Sequence, residues 1–193
     1  FCLSRGLGDV YKRQVPTLAQ VFRENGYQTM AVGKLHVYPQ RNRIGFEDVI
    51  LTEEGRYELG CVDDYQIWLG ENGYTGQEFL HGMGNNTYYT RTWHLDERSH
   101  PTNWVTMEMM KQIKRKDPTR PFFFYCSYQF PHPPLVPLPA FLEMYQEDEL
   151  EELQGEDWLD NSPVFKALCE GASEYSEKAV SYTHLTLPTI CSV

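Results

Sequence analysis

Apolar residues fall at helical spacing in two stretches of the chain and in short strand-like runs in two others. Between Pro16 and Asn25, the side chains of Leu18, Val21 and Phe22 share one helical stripe. With Pro16 at its start and Gly26 where a C-cap residue belongs, this spacing predicts a short helix. Tyr27 to Val32 is brief, half apolar and bounded by glycines, which suits a strand. Helix, glycine turn, strand and then the loop Gly33-Lys34-Leu35-His36 is the order of an α/β unit. The second periodic stretch runs from Pro101 to Lys116, with Trp104, Val105, Met109 and Ile113 along one stripe. Thr102 or Asn103 is expected to cap it, Lys114, Arg115 and Lys116 suit its negative dipole end, and Asp117-Pro118 stops it. Pro121 to Tyr128 is then an almost unbroken aromatic run, as expected where both faces of a sheet are covered. It is predicted to be a central parallel strand.

The remaining segments are less regular. Residues 37 to about 100 are rich in Gly, Asn, Tyr and Thr, with turn signals at Asn72-Gly73 and Gly82-Met83-Gly84-Asn85-Asn86, so only short elements are expected there. One of them is a helix over Asp63 to Leu69, around Tyr65 and Trp68. Prolines 131, 133, 134, 137 and 139 forbid regular structure after the aromatic strand and hold His132 in a stiff loop. A short helix is predicted around Phe141 to Tyr145, and a further helix over Val164 to Val180. The chain has no internal repeat, no G-x-G-x-x-G and no P-loop.

Residues 1–14 and 181–193 resemble translated adapter sequence of the kind left in metagenomic assemblies, and both are set aside as adapter-derived scars. Residues 15–180 then form one domain or a large part of one. Removing Arg5, Lys12, Arg13 and Asp9 with the scars takes the formal charge from −10 to −12. A surface this acidic repels nucleic acid and anionic membranes, and no run of about 18 apolar residues is present to span a bilayer. The acidic cluster from Glu147 to Asp157 reads as a solvated helix face or loop. Basic residues 114–116 are explained by the helix end they occupy. Of the five cysteines, trimming leaves Cys61, Cys126 and Cys169, without C-x-x-C spacing, so reduced, buried thiols are expected. That usage points to the cytoplasm. The natural N-terminus is expected to be missing, which leaves localisation open.

The candidate chemistry is cationic. Lys34 and His36 follow a predicted strand and project to one side if the backbone stays extended. His132 follows the other predicted strand. In open α/β sheets, ligands collect outside the carboxyl ends of the strands, so parallel strands would bring all three residues to one edge. Without a nucleophile, a carboxylate pair or a metal-ligand set, the spacing alone supports an anion site of unspecified chemistry. Arg41 and Arg43 are read as solvated surface charges, with focusing of an anionic substrate as the alternative. His94 and His100 are candidates to line the pocket for the organic part of a substrate.

These residues also carry a family resemblance. Gly26-Tyr27-Gln28-Thr29-Met30-Ala31-Val32-Gly33-Lys34-Leu35-His36 resembles the G-Y-x-T-x-x-x-G-K-x-H signature of the type I sulfatases. Pro121 to Pro134 resembles the apolar strand and P-H-x-P loop of that family, and the helix from Pro101 to Lys116 stands in the family's order. The resemblance implies an α/β, alkaline-phosphatase-like fold, with a mostly parallel sheet and helices on both faces, incomplete in what is expected to be an internal, inactive fragment. It further implies hydrolysis of sulfate monoesters, small-molecule or glycan, by a formylglycine nucleophile made from Cys or Ser in C-x-[PA]-S-R by a formylglycine-generating maturation enzyme. A divalent cation, usually calcium, accompanies it. Nucleophile and metal ligands are both expected outside the fragment. Cys2-Leu3-Ser4-Arg5 lacks the residue between Leu3 and Ser4, lies too close to Gly26, and is rejected as the nucleophile.

Carried over residue by residue, Lys34 matches the lysine contacting sulfate and nucleophile, and His36 the histidine holding the formylglycine hydrate. His132 matches the histidine at the sulfate and leaving oxygen. Lys34, His36 and His132 are therefore the expected catalytic residues, and Lys34, His132 and His100 the expected substrate contacts. A phosphonate or phosphate ester hydrolase of the same superfamily, or a degenerate member that binds a sulfated ligand without cleaving it, are the alternative readings.

Overall fold

The computed structural model describes residues 15–56 and 61–144. Residues 1–14 and 181–193, expected to be adapter-derived, lie outside the described residues, as do the acidic cluster, Cys169 and the helix expected at Val164 to Val180. The described residues divide into two compact units, one ending at Glu78 and resuming over Pro101–Gln129, the other comprising Phe79–His100 and residues 130–144.

The first unit is built on a three-stranded sheet. Helix α1 spans Leu18–Glu24, with Thr17 Oγ1 accepting from Gln20 N at 3.1 Å as the N-cap. Gly26, at φ 85°, turns the chain in the left-handed region that glycine reaches without a Cβ penalty. Strand β1 (Gln28–Gly33) pairs in parallel with β2 (Asp48–Leu51) on one side and β3 (Phe122–Ser127) on the other. The order β2-β1-β3 makes β1 the middle strand. This corrects the expectation for the aromatic run, which pairs on one side only among the described residues and leaves Phe122 and Tyr125 more than 40% exposed. Cys126 is exposed too, not buried as expected. Strand β2, four residues long, is one of the short elements expected between residues 37 and about 100.

Helices cover both faces. Ala19 of α1 packs with Ala31, Val49, Leu51 and Phe123, which alternate onto one face of the sheet. Helix α3 (Pro101–Arg115) packs on β1 and β3, and its Gln112 and Arg115 share a small cleft with Gln28, Met30 and Phe124 of the other face. Its Trp104, Val105 and Met109 are buried, whereas Ile113 is 45% exposed. The helix starts at Pro101, so Thr102 and Asn103 lie inside its first turn and do not cap it. Proline is tolerated there because a first-turn N–H has no partner within the helix. Helix α2 (Asp64–Glu71) packs on β2, and Tyr65 meets Trp104 at 5.1 Å between ring centres. The buried Gln28 side chain donates to Asp117 O at 2.7 Å and accepts from Asp117 N at 2.9 Å, pinning the turn that leads into β3.

The second unit has its own small core of Met83, Trp93 and Val136, lined by Leu95, Phe130 and Leu138. Thr90 and Leu135 form a parallel bridge, the buried Ser99 ends a 3-10 turn, and α4 (Pro139–Glu143) follows the proline loop. No helix among the described residues is long and apolar enough to cross a membrane.

Candidate active site

The strand register sets the geometry of the first unit's candidate residues. Gly33 pairs with Leu51 and with Ser127, so the carboxyl ends of all three strands stand level. Lys34 N donates to Ser127 O at 3.1 Å and Thr52 N to Gly33 O at 3.2 Å, which continues the ladder just past the strands. Lys34 to His36 and Thr52 to Arg56 therefore leave the sheet at the same edge.

The backbone does not stay extended beyond Lys34. His36 adopts φ 54°, so the alternation expected to place Lys34 and His36 on one side does not apply. A different device brings them together. Lys34 Nζ donates to Glu54 Oε1 at 2.7 Å, Arg56 Nη2 donates to Glu54 Oε2 at 3.1 Å, and Arg56 Nη1 meets His36 Nε2. Because a guanidinium only donates, His36 Nε2 is the acceptor in that contact. Glu54 is thus a bridge between the two cations, and through Arg56 the network reaches the imidazole. An ammonium has three donors, and Glu54 engages one of those on Lys34. Arg56 Nε is buried without a partner among the described residues.

Beneath this network lies Glu53, 3% exposed. Its carboxylate accepts from Leu35 N at 2.8 Å and from His36 N at 3.0 Å. Burial pushes the Glu53 carboxyl up, opposed in turn by the His36 and Leu35 amides, Lys34 and Arg56. Glu53 is itself anchored, its own N–H donating to Asp63 Oδ2 at 2.6 Å, while Asp63 Oδ1 caps α2 by accepting from Gln66 N at 2.8 Å. Burial likewise raises the Asp63 carboxyl, against the Glu53 and Gln66 amides that favour its charge. Glu53, Glu54, Arg56 and Asp63 were not singled out from the sequence. Their only signal is a pair of acids and an arginine just after the short Val49-Ile50-Leu51 run.

His132 belongs to the second unit, in the proline loop. Its Nδ1 donates to Pro133 O at 2.8 Å. His100 is 7% exposed and its Nε2 donates to Val136 O at 3.0 Å, while its ring packs on Trp93 and Phe130. Its contacts thus reach the loop on both sides of His132. His94 packs on Trp93 and His81. Arg41 is tied to Asp64 at 2.7 Å and to Val62 O, and Arg43 to Asp48 at 3.2 Å and to Glu47 O, which accords with reading them as surface charges.

No group of three or more His, Cys, Asp or Glu among the described residues is arranged to hold a metal ion. The described residues therefore do not fit the cation that the family resemblance implies. Cys61 and Cys126 are free thiols, and neither lies in a C-x-[PA]-S-R sequence.

The first unit thus presents a parallel α/β sheet with the loop bearing Lys34 and His36 at its carboxyl edge. The sequence model of the family described as Sulfatase matches residues 9–159, and the chain belongs to that family. It is 36% identical over 154 residues to the arylsulfatase of Clostridium perfringens (strain 13 / Type A), covering 74% of this chain and 32% of that protein. It is 27% identical over 141 residues to arylsulfatase J of Mus musculus, 67% of this chain and 21% of the relative. With the choline-sulfatase of Rhizobium meliloti (strain 1021) the identity is 24% over 147 residues, 72% and 27% of the two chains. The chain thus spans about a third or less of the curated relatives it matches. Among solved structures, that of BT4656 in complex with its substrate D-glucosamine-2-N,6-O-disulfate is similar at a TM-score of 0.40 and 16% identity, covering 90% of this chain and 38% of that one.

Proposed function

We propose that the intact protein hydrolyses sulfate monoesters of a small molecule or glycan, and that Lys34, His36 and His132 act in the reaction. The observation that carries this reading is the joining of Lys34 and His36 through Glu54 and Arg56 at the carboxyl edge of the sheet, within a chain of the sulfatase family. Formylglycine would supply the attacking oxygen and a divalent cation, calcium, would offset charge on the ester. The formylglycine precursor and the cation's ligands would lie outside residues 15–180, and a formylglycine-generating enzyme would act before the first turnover.

The roles of this chain's own residues follow from their chemistry. As the S–O bond breaks, charge shifts among the ester oxygens, and Lys34 offers a compact cation that suits a tetrahedral oxyanion. His132 donates a hydrogen bond from Nδ1 to Pro133 O, and in its imidazolium form the Nε2–H is the proton for the departing alkoxide, a general-acid role that contributes about 10² to 10⁴ in rate. His100 supports the loop from which His132 acts. The test is turnover of an aryl sulfate by the full-length enzyme and by its Lys34→Ala variant. A loss on the order of a hundredfold or more is expected. A tenfold effect or less would remove Lys34 from the site, and faster turnover of a phosphate or phosphonate ester would reassign the substrate class. Binding of sulfate ester without turnover by the wild-type enzyme would make it a binding protein.

A further inference from the structure

We propose that Glu53 is a positioning residue for the sulfate-ester site: its carboxylate, seated beneath the loop, clamps the Leu35 and His36 amides and so holds Lys34 and His36 in place. This rests on the sulfate-ester reading given above. Glu53 is 3% exposed, and its bonds to Leu35 N and His36 N measure 2.8 and 3.0 Å, with a second approach to His36 N at 3.2 Å through Oε2.

Three features set these bonds apart from ordinary loop packing. His36 sits at φ 54°, a left-handed conformation that a non-glycine residue keeps only when its surroundings enforce it. The enforcement comes from one acceptor that engages two successive N–H groups, the last of them that of His36 itself. Glu53 is also fixed from behind, through the bond from its N–H to Asp63 Oδ2 at 2.6 Å and the cap that Asp63 places on α2. Helix start, Glu53 and the His36 backbone thus form one continuous support. Finally, Glu53 is adjacent in sequence to Glu54, which pairs with Lys34 at 2.7 Å, so movement of this turn shifts both candidate groups together. An amide-to-carboxylate bond is charge-assisted, so the clamp is firm only while Glu53 is ionised.

The charged and titratable groups around Glu53 are Lys34 and His36 from the loop after β1, Glu54 and Arg56 from its own turn, and Asp63 and Asp64 from the start of α2. The carboxyl of Glu53 is raised from its ordinary range by burial. Protonation as pH falls therefore loosens the clamp at a higher pH than it would for a carboxyl in water.

Glu53→Gln in the full-length enzyme tests this, because the amide keeps the shape and one acceptor oxygen but neither the charge nor the titration. We expect kcat to fall roughly ten- to a hundredfold, as small misplacements of reacting groups do, with KM within about twofold and the acid limb of the kcat profile moved to lower pH. A purely structural role would leave the acid limb where it is. Lys34→Ala is run alongside. If Lys34→Ala loses on the order of a hundredfold while Glu53→Gln stays within about twofold of wild type, the positioning role is overturned and the sulfate reading stands. If Lys34→Ala has no effect, that reading fails and takes the positioning role with it. If Glu53→Gln does not fold, Glu53→Asp carries the test, since it retains the charge but not the reach. Lowered kcat with the wild-type acid limb supports the clamp, and wild-type kcat overturns it.

Discussion

A methyl group built on Gly33 would sit 1.8 Å from the carbonyl oxygen of Ser127, on the neighbouring strand. Gly33 also has φ 107°, so two independent constraints exclude a side chain where β1 gives way to the Lys34 loop. The close approach lets Lys34 N reach Ser127 O and keeps the ends of β1 and β3 level. Gly33→Ala must therefore push the strands apart or twist the loop, and is expected to destabilise the protein by on the order of 3 kcal/mol or more. Urea unfolding of the full-length variant measures this. A loss under about 1 kcal/mol would show that the strand ends separate easily.

Glu54 carries a prediction of opposite sign for binding and stability. Its carboxylate pairs with Lys34 and Arg56 at 9% side-chain exposure, so Glu54→Gln leaves two cations short of a partner. Removing one side of so buried a pair is expected to cost on the order of 3 kcal/mol. The same change deletes a negative charge next to the proposed anion site, so inorganic sulfate should inhibit the variant at about fivefold lower concentration or less. Thermal unfolding and sulfate inhibition, measured together, check both halves. Weaker inhibition would place the anion away from Lys34.

How much of this was legible differs from element to element. Helix α1, β1 and α3 could be read because their apolar positions recur at a fixed period and glycine or proline marks their ends. Strand β2 escaped because it is four residues long, and only two of them, Val49 and Leu51, are buried. The aromatic run of β3 was read correctly as a strand, but among the described residues β1 and not β3 is the middle one. Position in a sheet is decided by backbone pairing, which leaves no pattern in side chains. The same limit applied to the candidate site. Gly33-Lys34-Leu35-His36 is contiguous and stood out, whereas Glu53, Glu54 and Arg56 reach it across 17 to 20 residues with no periodicity to announce them.

Glu78 supplies a pH signature for the first unit. It is 6% exposed, it accepts from Gln66 Nε2 at 2.9 Å, and burial, aided by Asp63 and Glu54, pushes its carboxyl up to about 8. A folded-state value above the unfolded one means the folded protein holds this proton more tightly. Its stabilising effect is complete below the ordinary carboxyl range and is lost as pH rises through about 8. Glu78→Gln is neutral at every pH and escapes that loss. The melting temperature of the variant relative to wild type should therefore climb between about pH 5 and about pH 9. A difference that stays flat across this range would mean that Glu78 is ionised in the folded state.

Acid should act on the second unit through His100. Burial lowers the imidazole below its ordinary range, partly offset by the hydrogen bond to Val136 O, and the ring is sandwiched between Trp93 and Phe130. The neighbouring His81 is lowered as well, first by burial and then by His94 and Arg91, so both histidines resist charging in the fold. An unfolded histidine takes its proton near pH 6.5, so between that value and the lowered folded one the unfolded chain binds more protons. Stability from these rings is therefore complete above about pH 6.5 and is lost as pH falls through their folded values. Since His100 holds the loop on both sides of His132, protection of the Leu135, Val136 and Leu138 amides against hydrogen exchange should fall at acid pH. His100→Gln keeps a donor for Val136 O but does not titrate, so its exchange rates should vary less with pH once the intrinsic chemistry is corrected for. Equal protection of the wild-type loop at about pH 5 and about pH 7 would show that His100 charges without cost in the fold.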